Sequence, residues 1–422
     1  MNAGTESTAP AMIAILGTFD TKGAEHAFLA DIIRQQGFAV CLIDVGTRKP
    51  TLAPDVASAE VAAAGGEGWR EILARQDRGE SVTWMAKAAA AYVPRLAAAG
   101  KIRGIISLGG GGGTAIATAA MRALPLGFPK VMVTTLASGN TTPYLGTSDI
   151  AFFPSVVDIA GVNRISRVIF ANAAGAICGM TQAAQARAGR PGRDRPIVVA
   201  SMFGNTTACV NEARRIVEAA GYEVLVFHAT GAGGRSMESL IASGLVAGVL
   251  DLTTTEWADE LVGGVLSAGP TRLDATALAK IPAVVAPGCL DMVNFGAPET
   301  IPARFAGRRF YCHNLQVTLM RTTPAECAEL GRIVAEKINR YTAPVTVLLP
   351  RGGISLVSGP GMPFHDPVAD AALFEAMLAN LRPDIPRIDS PHAINDSAFA
   401  AACAEALLAA LLPIETPGSG PG

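Results

Sequence analysis

The stretch Ser107-Leu108-Gly109-Gly110-Gly111-Gly112-Gly113-Thr114 decides how this chain is read. The apolar pair Ile105-Ile106 runs into five consecutive glycines, and an Ala-rich, helix-forming segment from Ala115 to Leu124 comes at once after them. A strand, a turn without side chains and a helix start, in that order, place consecutive backbone N–H groups at the positive end of a helix dipole. That is a seat for an anion, most often a phosphate. A flexible linker is the plainer alternative, but linkers mix Gly with Ser over longer runs and lack a flanking strand and helix. The P-loop pattern needs Lys before Ser/Thr, and Gly113-Thr114 has none between. A dinucleotide fingerprint needs an acidic residue about 20 positions on, whereas no Asp or Glu occurs between Thr114 and Ser148. The glycines therefore point to a mononucleotide ahead of NAD.

Upstream, Met12–Leu16 has strand length and Gly17-Thr18-Phe19-Asp20-Thr21-Lys22-Gly23 forms its exit. Ala24, Phe28, Leu29, Ile32 and Ile33 then share one helical face up to Gly37, and Phe38–Ile43 is a second strand ending at Asp44. Open parallel sheets bind ligands outside the carboxyl ends of their strands, so Thr18, Asp20, Lys22 and Asp44 are expected on the edge that holds Gly109–Gly113. Residues 48–100 read as helical, with the character of a lid or an oligomer contact. Downstream, Lys130–Thr135 is a buried strand whose exit, with Ser138, Gly139 and Asn140, is expected to close over the ligand. Asp149–Asp158 is a further strand and turn, and Ile159–Gln185 reads as one long helix.

Charge, Gly and Pro between Arg187 and Pro196 mark a domain boundary. Beyond it the chain repeats its beginning: at an offset of 184, Ile13 falls on Ile197, Phe19 on Phe203, Gly37 on Gly221, Phe38 on Tyr222 and Val40 on Val224. Gly104-Ile105-Ile106 likewise resembles Gly248-Val249-Leu250, whose exit runs from Asp251 to Glu256 instead of through glycines. The expected fold is α/β: two Rossmann-like domains, 11–186 and 197–412, related by duplication. Each is a mostly parallel sheet with helices on both faces; 187–196 is the linker, and 1–10 and 413–422 are flexible tails. In the second domain, strands are expected at 283–286, 308–311 and 345–349, and helices at 325–340, 370–381 and 397–412. Its strand exits carry His228, Asp251, Glu256, Asp291, His313 and Arg351, expected to converge on a second pocket.

Half of the 422 residues are apolar and 17% are charged, which suits helices packed on buried parallel strands. A formal charge of -2 from 34 basic and 36 acidic residues offers no electrostatic case for nucleic acid as a partner. Seven scattered cysteines, never spaced C-x-x-C, read as reduced thiols of a cytoplasmic protein. No segment has the length and apolarity of a membrane span, and no H-E-x-x-H, paired C-x-x-C or G-x-S-x-G motif is present.

The Gly-Thr-Phe-Asp-Thr-Lys-Gly opening, the glycine run before Thr114, Ser138-Gly139-Asn140, Asp158-Ile159-Ala160-Gly161-Val162-Asn163 and Pro350-Arg351-Gly352-Gly353 occur together here. In this combination the chain resembles, over residues 11 to 412, a largely uncharacterised family of bacterial, fungal and plant proteins. That family includes the N-terminal inhibitory domain of the tomato mosaic virus resistance protein. The resemblance implies two Rossmann-like domains, ATP in the first, and a homodimer. It implies that Gly109, Gly110, Gly111, Gly112, Gly113 and Thr114 form the nucleotide site, with Asp20, Thr21 and Lys22 close by.

Each candidate has a plainer role beside the functional one. Lys22 could neutralise a phosphate and Asp20 hold Mg2+ on it, or Asp20 and Thr21 could cap a helix. Asp44 could accept from a ribose or simply end a strand, and Ser138 and Asn140 could donate to phosphate or stabilise a turn. His228 and His313, with Asp251, Glu256, Asp291 and Arg351, could form an acid–base site for a small carboxylate or phosphate, or could be structural. Together these residues read as those of an ATP-binding protein, with or without Mg2+, using or regulated by ATP in a reaction on an unknown small molecule near the interdomain cleft. A non-catalytic nucleotide-binding dimer and a nucleotide-independent enzyme on a small acid are the alternatives.

Overall fold

The computed structural model describes residues 12–188 and 194–411, which fall into two compact units, one in each block. Residues 189–193 of the expected linker and the two expected tails lie outside the described residues. The first unit runs β1 (Met12–Gly17), α1 (Phe19–Gln35), β2 (Val40–Asp44), α2 (Ser58–Ala63), α3 (Trp69–Arg75), α4 (Arg78–Ala98), β3 (Ile102–Gly109) and α5 (Gly111–Arg122). It continues with β4 (Lys130–Thr134), α6 (Thr142–Leu145), β5 (Ala151–Pro154) and α7 (Arg164–Ala188). Its five strands are parallel in the order β2-β1-β3-β4-β5. That order reverses direction between β1 and β3, the switch point where doubly wound sheets open a crevice.

Alternation along the strands sorts the core into two layers. Ile13, Ile15, Ile106 and Val133 pack with Leu29, Ile33, Phe170 and Ile177 of α1 and α7. Ala14, Leu16, Ile105 and Met132 pack with Met85, Ala89, Val93, Ile116 and Ala120 of α4 and α5. α4 thus packs Met85, Ala88, Ala89 and Val93 onto the sheet within the crossover between β2 and β3, so this part of residues 48–100 is scaffold and not the expected lid. The long helix also starts later than its apolar residues suggest. Gly161 adopts φ +80, and Asn163 Oδ1 accepts from the Ile165 and Ser166 amides at 2.9 Å, so the helix begins after a capped loop.

The second unit comprises β6 (Ile197–Met202), α8 (Thr207–Ala219), β7 (Glu223–His228), α9 (Ala232–Ala242), β8 (Val246–Thr253), α10 (Glu256–Val262), α11 (Asp274–Ala279) and β9 (Ala283–Gly288). After these come β10 (Met292–Phe295), β11 (Phe310–Asn314), β12 (Val317–Arg321), α12 (Pro324–Ile338), β13 (Val345–Pro350), α13 (Pro367–Asn380), β14 (Arg387–Ser390) and α14 (Ser397–Ala410). The main sheet, β7-β6-β8-β9-β13-β14, repeats the order of the first and adds a strand. The strand expected near 308–311 belongs elsewhere: β11 pairs antiparallel with β12 in a separate sheet of order β10-β12-β11.

The duplication is visible in a shared irregularity. The β1–β3 register slips between Met12 and Ile13, and the β6–β8 register slips between Ile197 and Val198. Ile13 pairs with Val40 and Gly104, while Val198 pairs with Val224 and Gly248. Ile13 thus corresponds to Val198, one residue beyond the ungapped match. Gly104 and Gly248 have the same task, letting the last helix of each unit approach the sheet. A Cβ at Gly104 would stand 2.6 Å from Thr181 Oγ1, and one at Gly248 would stand 2.9 Å from Leu411 Cδ2. Gly104→Ala is expected to lower the unfolding free energy by about 1–3 kcal/mol through overpacking. Adding Thr181→Ala should recover most of that loss in urea denaturation; a strictly additive double variant would contradict this contact.

Candidate functional site

The carboxyl edge of the first sheet gathers the exits of β1, β2, β3 and β4. At the β3 exit, Gly110 is extended (φ -83, ψ -161) and α5 begins at Gly111 with no side-chain cap. The amides of Gly111, Gly112 and Gly113 have no acceptor among the described residues; the first intrahelical bond runs from Thr114 N to Gly110 O at 2.9 Å. None of the five glycines has a positive φ. Gly109 is closely packed, and a Cβ there would stand 3.1 Å from Gly113 Cα. Elsewhere there is room: a Cβ would meet nothing nearer than 3.8 Å at Gly110 and Gly113, nothing within 4 Å at Gly111, and Val82 Cγ2 at an ordinary 3.4 Å at Gly112. Each Gly in a helix costs up to about 1 kcal/mol relative to Ala, so the bare turn is not explained by the fold.

The other residues expected at this seat are drawn into the scaffold. Thr114 is buried and turned inward, its Oγ1 2.7 Å from Thr134 Oγ1. Asp44 Oδ1 accepts from the Phe19 and Gly46 amides at 3.0 and 2.9 Å, and burial raises its carboxyl above the ordinary value. Asp20 Oδ2 accepts from the Thr47 and Arg48 amides at 3.2 and 3.1 Å, while its buried Oδ1 has no partner among the described residues. Lys22 Nζ donates to the Ile159 carbonyl, and Thr18 and Thr21 join hydroxyls at 3.0 Å. These side chains fasten the β1 exit to the loops after β2 and β5, where Glu25 also accepts from Gly161 N at 2.6 Å. Asn140 Oδ1 accepts from Thr142 N at 3.1 Å and starts α6; Ser138 and Gly139 are exposed.

Family models described as the N-terminal and C-terminal domains of an uncharacterised protein family match residues 11–186 and 195–411. The chain belongs to the uncharacterised protein family UPF0261. A UPF0261 protein of Clostridium tetani is 49% identical over 398 residues, covering 94% of this chain and 98% of that protein. Another, from Rhizobium meliloti, is 48% identical and covers 96% of this chain and 99% of its own length. The ToMV resistance protein Tm-1(GCR237) of Solanum lycopersicum is 39% identical over 96% of this chain, which spans 56% of the tomato protein.

In the second unit of this UPF0261 chain, the expected acid–base residues do not converge. Asp251 and Glu256 are locked in a buried cluster on Arg272, a residue not singled out in the sequence. The guanidinium donates to both Asp251 oxygens at 2.6 Å and to Glu256 at 2.7 Å, with Glu238 at 3.1 Å. Arg272 is about 1% exposed. Asp291 lies in a different buried pocket, bonded to Ser355 Oγ at 2.7 Å, and burial pushes its carboxyl up to about 6 against the pull of Arg321. Arg351 pairs with Asp389 at 2.5 Å, His228 is exposed at the end of the edge strand β7, and His313 is exposed on the β11–β12 hairpin.

Sequence reading also missed Arg78 and His26. Arg78 opens α4, and Asp77-x-x-Glu80 was a legible helix-start signal, since Asp77 Oδ1 accepts from Glu80 N at 2.8 Å. His26 is fully buried beneath Gly17, where a Cβ would stand 1.9 Å from its Nε2. Its Nδ1–H donates to the Lys22 carbonyl at 2.6 Å, at the point where α1 departs from helical geometry (φ -133, ψ 32). Burial lowers the imidazole to about 4, outweighing that bond. The folded ring is neutral, so its contribution to stability is complete above the unfolded pKa and is lost as pH falls toward the folded one. Between pH 6.5 and 4 the native chain is expected to lose on the order of 3 kcal/mol more than His26→Gln in urea denaturation. Equal pH slopes in the two chains would refute this.

Proposed function

We propose that this protein binds a mononucleotide, ATP, through phosphate seated on the first turn of α5. It uses or is regulated by ATP in the chemistry of a small molecule. One observation carries the reading: three adjacent amides at a helix start have neither cap nor acceptor, on a glycine run that the fold does not otherwise need. Bonds from such amides to an ionised oxygen contribute roughly 1.5–3 kcal/mol each. They lie at the carboxyl edge beside the β1–β3 switch point, where doubly wound sheets take their ligands.

A second reading has its own support. The dispersal of His228, His313, Asp291 and Arg351 and the burial of Asp251 and Glu256 against Arg272 keep these six candidates from forming one acid–base constellation, which favours a nucleotide-binding protein without turnover.

Calorimetric titration with ATP, with and without Mg2+, tests the binding. A valine at position 111 projects into open space, so Gly111→Val should keep the native melting temperature yet weaken ATP by about a hundredfold, the worth of two charge-assisted bonds. Binding that is equal in the two chains removes the glycine seat, and no binding to the native chain removes ATP. Release of ADP on addition of metabolites would favour the enzyme over the binding protein.

A further inference from the structure

The second unit has its own switch point, between β6 and β8, and there the carboxyl edge is covered. Residues 351–366, between β13 and α13, reach the β6 exit, which lies beyond β9 and β8 in the strand order, so the segment crosses both. Cys289 N donates to the Ile354 carbonyl at 2.9 Å, and Leu356 N donates to the Asn205 carbonyl at 3.0 Å. Gly353 (φ +141) and Gly361 (φ +80) supply bends that other residues rarely adopt. Ile354 roots the segment in the large core of the unit. Beyond it, Val357 and Phe364 are buried in a small separate cluster with Cys289, Met292 and Leu319. A satellite cluster under a long loop can come apart while the sheet beneath it stays folded.

One buried bond fastens this segment from within. Ser355 Oγ donates to Asp291 Oδ2 at 2.7 Å, while Asp291 Oδ1 is buried with no hydrogen-bond partner among the described residues. Arg321 of β12 faces the same pocket, but its guanidinium donates to Asp370 of α13 at 2.5 Å, to Thr322 Oγ1 at 2.9 Å and to the Phe364 carbonyl at 2.9 Å. Two acids thus share one guanidinium. Cys289, in the same loop as Asp291, and Cys327 of α12 are thiols that burial pushes up and keeps protonated. His365 Nδ1 lies 3.2 Å from the Ser358 carbonyl, and His365 and Asp366 act on Asp370. We propose that residues 355–364 are a pH-sensitive strap over the second unit's crevice, latched by Ser355 to a protonated Asp291 and loosened when Asp291 ionises. A neutral carboxyl leaves one oxygen unpartnered, whereas an ionised one leaves part of a buried charge without a donor, which costs more. Burial raises the Asp291 carboxyl from the ordinary 3.8 to about 6 in the closed strap. Closure is therefore firmest below about pH 4, where the released carboxyl is protonated too, and it weakens until the pH passes about 6.

Amide hydrogen exchange on the full chain, expressed as protection over an unstructured chain at each pH, reads the strap through Leu356 N and Phe364 N, which are bonded to the Asn205 and Val357 carbonyls. Both amides are expected to lose on the order of a hundredfold in protection between about pH 4 and 6 and to stay level above that. The β8 amides beneath should not follow. Asp291→Asn, which cannot ionise, should abolish the slope, His365→Gln should keep it, and Ser355→Ala should lower protection throughout. Flat protection in the native chain, a slope that survives Asp291→Asn, or a slope lost in His365→Gln would overturn the role of Asp291. Native-like protection in Ser355→Ala would overturn Ser355 as the latch. Equal losses in β8 would mean that the whole unit opens and would overturn the strap as a separate device; this comparison needs only the native chain, so it decides even if Asp291→Asn does not fold.

Discussion

A parallel sheet delivers the first turn of each succeeding helix to its carboxyl edge, and every such turn carries backbone amides that no intrahelical bond can satisfy. The way those amides are answered organises this protein. At α1, Asp44 takes the Phe19 amide and in doing so ties the β2 exit to the β1 exit. At α4, Asp77 takes the Glu80 amide; near the start of α9, Glu256 takes those of Gly231 and Gly234; at α12, Thr323 and Glu326 cap each other's amides. The turn that opens α5 differs from all of these, because its glycines bring no side chain and no neighbour bends over to supply one.

The two units share a strand order and a bulge yet use their carboxyl edges in opposite ways. In the first, side-chain charges are used to fix loops, and the first turn of α5 is left as bare backbone. In the second, Asp251, Glu256 and Glu238 are taken out of water around Arg272. Burying ions costs several kcal/mol each before pairing offsets it, and deleting one partner of such a cluster costs about 3–5 kcal/mol. A cluster under that constraint holds β8, α9 and α10 together, with Asp251 and Glu256 paired and buried. The open turn of α5 and the locked cluster are therefore two outcomes of one architecture.

Much of this was legible in the residues. Apolar runs bounded by Gly and Asp located β1–β4, β6–β9 and β13, and five glycines after a strand located the uncapped turn. Where reading failed, the cause was non-local. Ile159–Asn163 has helical composition but is bonded through Lys22 and Glu25 to α1, more than 100 residues earlier in the chain. Phe310–Asn314 has strand composition, and its antiparallel partner β12 could not be chosen from composition alone. The one-residue shift between the repeats became visible through strand pairing, which counts residues across the sheet.

The sequence by itself determined the α/β class, the two repeated sheets and the position of the bare helix start, because these come from periodicity, chain order and the absence of side chains. Tertiary structure decided which polar residues remain available at that start. Lys22, Asp44 and Thr114 are near it in the chain's plan but are bonded into the scaffold, as is one of the two carboxylate oxygens of Asp20. Arg78, more than 30 residues before Gly112, stays unspent beside it. The physical reason is that a hydrogen-bonding group is committed by whichever partner folding brings within about 3 Å of it, and that partner is set by packing between elements, to which local sequence is blind.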